Sequence, residues 1–337
     1  MICLSGLLPE EIYSHFNILE KYRSLQIFKW ISSGIQNFDD MKNIPQILRN
    51  ELAKESVIRS SKITEKLVDP DGTVKLQIEL NDKQCIETVL LIDKHGRKTA
   101  CVSCQVGCAM KCAFCMTGTL GFTRNLTVAE IVEQFFHLED ECGKLDNIVF
   151  MGMGEPMLNL NEIRKSIQIL THEKGRNLSG RRITISTSGI ISGIYDLADN
   201  GPKVRLAISL TCANDKLRSE LMPVNISNPL SKLKEAIKYF SDKTHKRVTL
   251  EITLIHQINT NNNSINELKN FIKGLNVHIN LIAWNPVKNL PFLEPTTSEC
   301  NNYIAQLENS NINVTLRKHR GRKISGACGQ LGKTKII

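Results

Sequence analysis

The chain of 337 residues is long enough for one large domain, or for a domain of about 200 residues with smaller additions. Lys and Arg number 43 against 34 acidic residues, and the formal net charge of +9 favours a polyanionic partner such as nucleic acid. No apolar run is long enough to cross a bilayer and no basic segment precedes the short apolar start, which excludes a membrane protein and predicts a cytosolic one.

The first part of the chain has the pattern of short amphipathic helices. Three segments show it, at residues 9–22, 24–32 and 40–56, with polar breaks between them. The pattern then changes to the β-rich segments "KLQIEL" and "CIETVLLID", which follow a turn signal at "DPDGT". We therefore predict a helical accessory domain at residues 1–56 and a β-rich connection at residues 57–93.

After Lys98 candidate strands and helices alternate. Each candidate strand is a short apolar segment followed by a stretch of helical length, and the strands are "TACVS", "NIVFMG", "RRITIST", "VRLAIS", "VTLEITL" and "HINLIAW". Strict alternation implies parallel strands with right-handed crossovers, and six such units predict an incomplete barrel whose chemistry lies at the carboxyl ends of the strands. We assign this α/β core, a partial (β/α)6 barrel, to residues 94–290 and a C-terminal extension to residues 291–337.

The cysteines are the densest chemical signal. There are eleven, and five of them fall within "CVSCQVGCAMKCAFC" at residues 101–115. In a reducing compartment this clustering favours a metal or redox site over a disulfide framework. Cys108, Cys112 and Cys115 have C-x3-C-x2-C spacing, directly after the first barrel strand. Three thiolates can hold a [4Fe–4S] cluster and leave its fourth iron open to a substrate.

Zinc is an alternative for the same loop, and the ligand register is open. The loop contains two C-x2-C pairs, although only seven residues separate them, fewer than in a usual zinc ribbon. Cys104, Cys108 and Cys112 are also evenly spaced, so Cys104 could belong to the ligand set. The spacing favours the iron–sulfur cluster over zinc.

A lone cysteine, Cys328, lies near the end of the chain. It stands among glycines in "GRKISGACGQLGK", from Gly321 to Lys333, where the basic run "RKHRGRK" ends. Glycines leave the backbone free and the sulfur uncrowded, which suits the presentation of a reactive thiol better than packing in a core. An isolated cysteine is more often a small buried thiol, so the loop alone leaves its role open.

The motifs together resemble a known family. "CQVGCAMKCAFC", followed in order by "MGMGEP", "STSG", "AISL", "AWNP" and "ACGQL", resembles the radical S-adenosylmethionine family and, within it, the RlmN group of RNA adenine methyltransferases. The resemblance runs from Glu87 to Leu331. It implies an enzyme that methylates carbon 2 of an adenosine in 23S rRNA and in some tRNAs, with S-adenosylmethionine and a [4Fe–4S] cluster on Cys108, Cys112 and Cys115.

The chemistry of the target explains why such an enzyme needs further thiols. Carbon 2 of adenine lies between two ring nitrogens and is too electron-poor to attack a methyl group directly. The resemblance implies that Cys328 first accepts a methyl group, which a 5′-deoxyadenosyl radical from a second S-adenosylmethionine then activates for addition to the base. Cys101 resembles the thiol that resolves the protein–RNA adduct through a transient disulfide with Cys328. Glu87 matches the family position of the proton acceptor.

The resemblance also assigns the contacts of S-adenosylmethionine, all of which lie at or just beyond the ends of predicted strands. The assigned residues are Gly154, Glu155, Ser186, Ser209, Leu210, Thr211 and Asn285. Gly154 permits close backbone approach, and Glu155 supplies negative charge for the amino group of the cofactor. Thr211 departs from the family pattern, in which histidine is common, and Cys104 replaces a usual serine.

Basic residues and the N-terminal helices are expected to bind the RNA. Three basic stretches, at residues 94–98, 180–182 and 317–323, flank the motifs and could surround the active-site mouth and hold phosphates. The target base would be turned out of its stack to reach the site. The resemblance further implies an electron donor such as flavodoxin or ferredoxin, and we expect a monomer with no membrane partner.

Two other functions stay open at this point. The related Cfr group methylates carbon 8 of the same ribosomal adenosine, although Pro156 in "MGMGEP" and Trp284 in "AWNP" are more similar to the RlmN group. The second is a non-catalytic zinc or iron–sulfur module that binds RNA. Such a module needs neither six βα units nor a glycine-flanked Cys328.

Overall fold

The N-terminal part is a small helical unit closed by two short strands. The structure, a computed structural model, describes residues 1–16 and 20–332. Strands β1 (Ile2–Cys3) and β2 (Ser56–Val57) pair in parallel at the two ends of this unit. The helices between them are α1 (Pro9–His15), α2 (Lys21–Ser32) and α3 (Gln46–Glu55).

The helix predicted over residues 9–22 is two helices. Pro9 begins α1, and the carboxylate of Glu11 accepts the N–H of Leu8 at 2.8 Å, so the start is well capped. This helix ends at His15, and the last predicted residues, Lys21 and Tyr22, belong to α2. Residues 17–19 of the prediction lie outside the described part of the chain. Because the apolar pattern of the sequence continues from α1 into α2, it does not indicate where one helix ends and the next begins.

The predicted β-rich connection is a set of antiparallel strands. They are β3 (Lys62–Val68), β4 (Val74–Glu79) and β5 (Cys85–Ile92), and β5 pairs in turn with the first barrel strand, β6 (Lys98–Cys101). The turn predicted at "DPDGT" joins β3 to β4, where Gly72 has φ +84°. The connection thus continues the barrel sheet outwards by three strands.

Between β6 and the next barrel strand the chain forms a ribbon around the cysteine loop. Its parts are β7 (Gln105–Gly107), α4 (Met116–Thr119) and β8 (Phe122–Asn125), and helix α5 (Val128–Cys142) follows. Thr127 and Glu130 form a reciprocal capping box at the start of α5. The cysteine loop is therefore held by the β7–β8 strand pair, and helix α5, whose N-terminus is capped, follows this pair.

The remaining strands and helices complete the barrel. The strands are β9 (Asn147–Phe150), β10 (Ile183–Thr187), β11 (Arg205–Ser209), β12 (Val248–Leu254), β13 (Val277–Ala283) and β14 (Val314–Leu316). The helices are α6 (Leu160–Thr171), α7 (Ile191–Asn200), α8 (Asp215–Leu221), α9 (Leu230–Thr244), α10 (Asn262–Ile272) and α11 (Thr297–Glu308).

The predicted partial (β/α)6 barrel is confirmed. Ten of the described strands form one sheet in the order β14-β13-β12-β11-β10-β9-β6-β5-β4-β3, and in that order all neighbours from β14 to β6 are parallel. The barrel stays open because β6 pairs with β5 and not with β14. Strand β14 is absent from the sequence-based prediction, since three partly exposed residues give too short a pattern. No helix among the described residues has the length and apolar character that a membrane span requires.

Candidate active site

The cysteine loop is folded by its own backbone contacts. The N–H of Cys108 donates to the carbonyl of Gly121 at 2.7 Å, and the N–H of Cys115 donates to the carbonyl of Cys112 at 3.2 Å. Gly107 has φ +76°, and a Cβ on it would collide with the carbonyl oxygen of Gly121. The closely packed β7–β8 ribbon thus fixes where the loop begins and ends.

The loop brings three cysteines to one cavity of about 180 Å³, which we call the cysteine cavity. It lies at the carboxyl ends of the barrel strands, and its lining includes Cys108, Cys112, Cys115, Gly154, Glu155, Ser186, Ser209, Asn285 and Cys328. Cys104 is not among the lining residues, and its carbonyl accepts the side-chain amide of Asn159 at 2.9 Å. This placement favours the register that uses Cys108 and omits Cys104.

The three thiols are shielded from solvent: Cys108 is buried, and Cys112 and Cys115 are partly buried. Burial raises the pKa of Cys108 to about 12, and burial together with its two neighbouring thiols raises the pKa of Cys112. Burial also raises the pKa of Cys115. Three thiolates in such a place need a cation to offset their charge, and a metal centre supplies it.

The spacing of the thiols suits a cluster better than a single ion. Within residues 1–16 and 20–332, no three His, Cys, Asp or Glu side chains lie close enough to bind one metal ion. A [4Fe–4S] cluster places its thiolate ligands further apart than the tetrahedral shell of one zinc ion does. Cys108, Cys112 and Cys115, which line one cavity, are therefore the residues that would hold a [4Fe–4S] cluster.

Glu155 is a buried carboxylate fixed in one orientation. Its Oε2 accepts the N–H and the hydroxyl of Ser188, both at 2.7 Å, and its Oε1 accepts the N–H of Met157 at 3.1 Å. Burial raises the pKa of this carboxyl, and the hydrogen bonds from Ser188 oppose the rise. A ligand ammonium group in the cavity would favour the ionised form of Glu155. The residue can therefore orient a cationic end of a cofactor.

Gly154 packs against the first residue of β7. With φ at +106°, it has a conformation that side-chain-bearing residues rarely adopt, and a Cβ would lie 2.6 Å from Cβ of Gln105 and 2.8 Å from its backbone nitrogen. We expect Gly154→Ala to lower the free energy of unfolding by about 2 kcal/mol or more and to weaken S-adenosylmethionine binding, because the loop carrying Glu155 must shift. Chemical denaturation and equilibrium binding measure the two effects.

Gly274→Ala is the matched control for that variant. Gly274 also has a positive φ, +79°, but no atom lies within 4 Å of a Cβ built on it. Its substitution adds backbone strain without a collision, so we expect a loss of about 1 kcal/mol and unchanged cofactor binding. Equal effects in the two variants would show that the contact of Gly154 with Gln105 is unimportant.

Leu210 and Thr211 are placed differently from the other predicted cofactor residues. Both are buried, and neither lines the cysteine cavity. Their N–H groups donate to the carbonyl of Glu251 at 3.0 and 3.2 Å, and Thr211 has φ +62°. The backbone of this turn, and not the Thr211 side chain, determines the shape of the cysteine cavity wall beside Ser209. The departure from histidine at this position is thus compatible with the same backbone path.

Cys328 lies where two cavities meet. It is exposed, and it lines both the cysteine cavity and a second cavity of about 970 Å³. The carbonyl of Cys328 accepts the amide of Asn285 at 3.1 Å, and the carbonyl of Gly329 accepts the N–H of Met116 at 2.8 Å. These bonds attach the C-terminal loop to the cysteine loop and to the end of β13. Lys333, the last residue of the predicted stretch, lies outside the described residues.

Cys101 also lines the second cavity, at the end of β6. It is buried, and burial followed by the charge of Cys328 raises its pKa to about 12, whereas Arg317 opposes the rise. The described cysteines are free thiols, Cys101 and Cys328 included. The predicted disulfide between these two residues is therefore absent from this state of the protein, and a transient bond stays a prediction.

Basic side chains surround the second cavity, which we call the basic cavity. The three basic stretches of the sequence all contribute, and the cationic residues that line it are Lys94, Arg97, Arg181, Arg182, Arg205, Arg317, Lys318 and Arg320. Among the described lining residues Asp93 is the only acid. This charge suits the phosphates of a nucleic acid.

Glu87 lines neither cavity. It is buried beneath the C-terminal loop, where its Oε1 lies 2.7 Å from Nζ of Lys75 and its Oε2 accepts the N–H of Gly332 at 2.6 Å. Its proton-acceptor role stays a prediction.

Two further charged residues lie at the site: Glu251, which is absent from the sequence-based prediction, and Arg317, which was predicted only as part of a basic stretch that binds RNA. Glu251 and Arg317 both line the cysteine cavity, with 3.6 Å between Oε2 of Glu251 and the guanidinium. Burial raises the pKa of Glu251, and the charge of Arg317 opposes that rise. A lone acid inside the apolar strand "VTLEITL" is the signal that could have identified Glu251. Arg317 begins a basic run and therefore looked like an RNA contact.

Comparison with known proteins places the chain in a family. The model of the Radical SAM superfamily matches residues 102–268, and that of the ribosomal RNA large subunit methyltransferase N-terminal domain matches residues 4–58. A crystal structure of a radical SAM methyltransferase from Sphaerobacter thermophilus has a TM-score of 0.94 and 39% identity, and the match covers 98% of this chain and 99% of that one. Radical SAM enzymes use a [4Fe–4S] cluster and S-adenosylmethionine.

Relatives at the sequence level extend over nearly the whole chain. A probable dual-specificity RNA methyltransferase RlmN from Treponema denticola is 58% identical over 98% of this chain and 95% of its own length. That of Treponema pallidum strain Nichols is 54% identical over 98% and 97%. The dual-specificity RNA methyltransferase RlmN of Sulfurimonas denitrificans is 41% identical over 94% and 93%. With the fold and the three-cysteine cavity described above, these similarities show that the chain belongs to the RlmN family of radical SAM methyltransferases.

Proposed function

We propose that this chain methylates carbon 2 of an adenosine in 23S rRNA and in tRNA, with Cys328 carrying the methyl group to the base. The observation that carries the proposal is the position of Cys328, which lines both the cysteine cavity and the basic cavity. The names of the relatives, dual-specificity RNA methyltransferase, and the family description, ribosomal RNA large subunit methyltransferase, support an RNA substrate.

The cysteine cavity is the proposed cofactor site. When bound there, the cluster and S-adenosylmethionine supply the methyl group and the adenosyl radical. Cys108, Cys112 and Cys115 would hold the cluster. The other lining residues that would contact S-adenosylmethionine are Gly154, Glu155, Ser186, Ser209 and Asn285, with Leu210 and Thr211 shaping the turn behind Ser209. The fixed carboxylate of Glu155 supports a contact with the cofactor amino group.

Cys328 and Cys101 are the proposed covalent residues. Cys328 accepts a methyl group on its sulfur, loses a hydrogen atom from that methyl group, and forms a carbon–carbon bond to carbon 2. The radical that this addition leaves on the base must lose one electron, which the oxidised cluster would take up, and Glu87 accepts the proton that leaves carbon 2. Cys101 then attacks the sulfur of Cys328 as a thiolate, so that a disulfide forms and the bond from sulfur to the methylene group breaks. The electron pair of that bond stays on the methylene carbon, which gains a proton and becomes the methyl group. The lining of the basic cavity by both thiols supports their proposed reaction with each other.

The basic cavity is the proposed RNA site. Its cationic lining would neutralise phosphates and make the affinity depend on salt. Cys328 lines this cavity, and because stacked neighbours cover the faces of a base in a helix, the adenosine would be turned out towards the thiol. We also propose that the N-terminal helical domain, residues 1–56, makes a second RNA contact, and that residues 57–93, 94–290 and 291–337 are the other units of the chain.

The cellular setting is also a proposal. We infer that the chain acts in the cytoplasm as a monomer and receives electrons from flavodoxin or ferredoxin. The formal net charge of +9 supports an acidic carrier as electron donor. Light scattering of the purified protein tests the monomer, and reduction of the reconstituted cluster by each carrier tests the donor.

Analysis of methylated nucleosides tests the substrate and the position. The reconstituted enzyme, incubated with S-adenosylmethionine, a reductant and protein-free 23S rRNA or tRNA, is expected to yield 2-methyladenosine. The same mixture without reductant should yield none, because the reaction needs the radical. If 8-methyladenosine forms instead, the chain has the carbon 8 activity and the proposal is wrong.

A further inference from the structure

The segment that carries Cys328, residues 321–332, rests on the β-rich connection, and we call it the carrier loop. The N–H of Gly321 donates to Oδ2 of Asp71 at 2.9 Å, and the N–H of Lys323 donates to Oδ2 of Asp69 at 2.9 Å. Both aspartates belong to the turn between β3 and β4. Strands outside the parallel barrel therefore hold the first part of the loop.

A buried ion pair lies beneath the rest of the carrier loop. Nζ of Lys75 is 2.7 Å from Oε1 of Glu87, and the two side chains are 3% and 1% exposed. Lys75 is on β4 and Glu87 on the neighbouring strand β5. In the antiparallel ladder Lys75 faces Val89 and Gln77 faces Glu87, so the two charges are diagonal neighbours on one face of the sheet.

Each charge of the pair also binds the backbone of the carrier loop. Nζ of Lys75 donates to the carbonyl of Ser325 at 3.3 Å, and Oε2 of Glu87 accepts the N–H of Gly332 at 2.6 Å. Ser325 lies three residues before Cys328, and Gly332 lies four residues after it. The pair therefore holds the loop on both sides of the thiol, and neither charged side chain lines a cavity.

We propose that the buried Lys75–Glu87 pair is a clamp on the carrier loop, and that Lys75 is a positioning residue for methyl transfer to Cys328. The second part of this inference rests on the proposed role of Cys328 as methyl carrier. A glycine-rich loop has many accessible conformations, and each hydrogen bond to a fixed charge removes some of them. Transfer requires the sulfur at a defined place beside the cofactor, so a loosened loop reacts more slowly.

The test is Lys75→Met in the reconstituted holoenzyme. The variant keeps the length and apolar stem of the side chain but removes the ammonium group. Without substrates, we expect hydrogen exchange of the amides of Gly326 and Gly332 to become about tenfold faster or more, because the clamp no longer restrains them. With S-adenosylmethionine, mass spectrometry should show Cys328 methylation slowed about tenfold or more at unchanged cofactor affinity.

Lys66→Met is the matched control. Lys66 lies on β3 and forms an ion pair of the same length, 2.7 Å, with Glu141, but this pair is at the surface and neither partner hydrogen-bonds to the carrier loop. Its loss should change neither the exchange of the loop amides nor the methylation of Cys328. A loosened loop in both variants would overturn the proposal, because the effect would then belong to the sheet as a whole.

Lys75→Met leaves the buried charge of Glu87 without the Lys75 ammonium group, and this can prevent folding. A second variant keeps the proposal testable in that case. Lys75→Met combined with Glu87→Gln removes both charges of the pair, and the carbonyl of the introduced amide can still accept the N–H of Gly332. We expect faster exchange at Gly326 with the Gly332 amide still protected. Wild-type protection at Gly326 in this double variant would overturn the clamp.

The two parts of the inference fail separately. If the wild-type protein never carries a methyl group on Cys328, the proposed function is wrong, and the exchange data still decide whether the clamp exists. The other case is that Cys328 is methylated in the wild-type protein and, at the same rate, in the Lys75→Met variant, although the loop of the variant is loosened. Lys75 is then not a positioning residue.

Discussion

Replacing Cys108, Cys112 or Cys115 by Ala is expected to abolish the cluster and all formation of 5′-deoxyadenosine. The three thiols line one cavity, and in the described part of the chain Cys104 is the nearest cysteine in sequence that could take over, yet it lies outside that cavity. Loss of one of three ligands leaves two iron atoms or more without a protein thiolate, and the cluster is not retained. Iron and sulfide content should fall from about four per chain to near zero.

Cys104→Ala is the control for the ligand set. The Cys104 side chain is buried, and its backbone is bound by Met153 and Asn159, so we expect a modest loss of stability of about 1 kcal/mol and full retention of the cluster. The absorbance of the reconstituted protein and 5′-deoxyadenosine release report the two results. Loss of the cluster in Cys104→Ala would refute the ligand set of Cys108, Cys112 and Cys115.

The barrel could be predicted from the sequence because its strands are short, largely apolar segments with an alternating core. In "VTLEITL" and "HINLIAW" buried apolar residues recur at every second position over a strand's length, and helical stretches separate the two segments. The order of the parallel strands then follows from the chain order and the handedness of the crossovers. Short elements cannot be predicted in this way. Strands β7, β8 and β14 are too short to show an apolar pattern, and they form because they pair with a neighbouring strand.

The site was predictable where spacing within a short segment determines the chemistry. Cys108, Cys112 and Cys115 are a local motif, and the cavity brings them together. Charges whose partners are distant in sequence were not predictable. Glu87 meets Gly332 across 245 residues, and Arg317 meets Glu251 across the sheet. No periodicity in the sequence records such pairs, because only the folded sheet brings β5, β12 and the C-terminal loop together.

The position of Glu87 connects its two proposed roles. Its carboxylate is held by Lys75 and by the N–H of Gly332, so it is fixed in place and covered by the loop that carries Cys328. The proposed acceptance of the carbon 2 proton would therefore use the same carboxylate that restrains the loop at Gly332. A loop that is clamped at rest and released during the reaction agrees with a thiol that must meet a cofactor, a base and a second thiol in turn.

Cys328→Ala and Cys101→Ala are expected to fail at different steps, because Cys328 is the proposed methyl carrier and Cys101 the proposed resolving thiol. Cys328 must accept a methyl group before any radical exists. Cys328→Ala should therefore keep its cluster, since this residue is not among the three proposed ligands, and should give neither protein methylation nor methylated RNA. Product should fall by about a thousandfold or more, because Cys115, the other described thiol that lines both cavities, is a proposed cluster ligand and cannot carry the methyl group.

Cys101→Ala removes a thiol that acts only after the carbon–carbon bond has formed. Cys101 lines the basic cavity with Cys328, so its loss leaves the carrier and the cofactor cavity intact. We expect this variant to be methylated on Cys328 and to attack the base, but to be unable to release it, because the thiol that attacks the Cys328 sulfur is gone. The product is a protein–RNA species that survives denaturation, detected as a shifted band and mapped by mass spectrometry to a methylene bridge on Cys328. Normal turnover of Cys101→Ala, or an adduct on Cys104 or Cys212, would contradict the carrier and resolver assignment while leaving the radical chemistry in place.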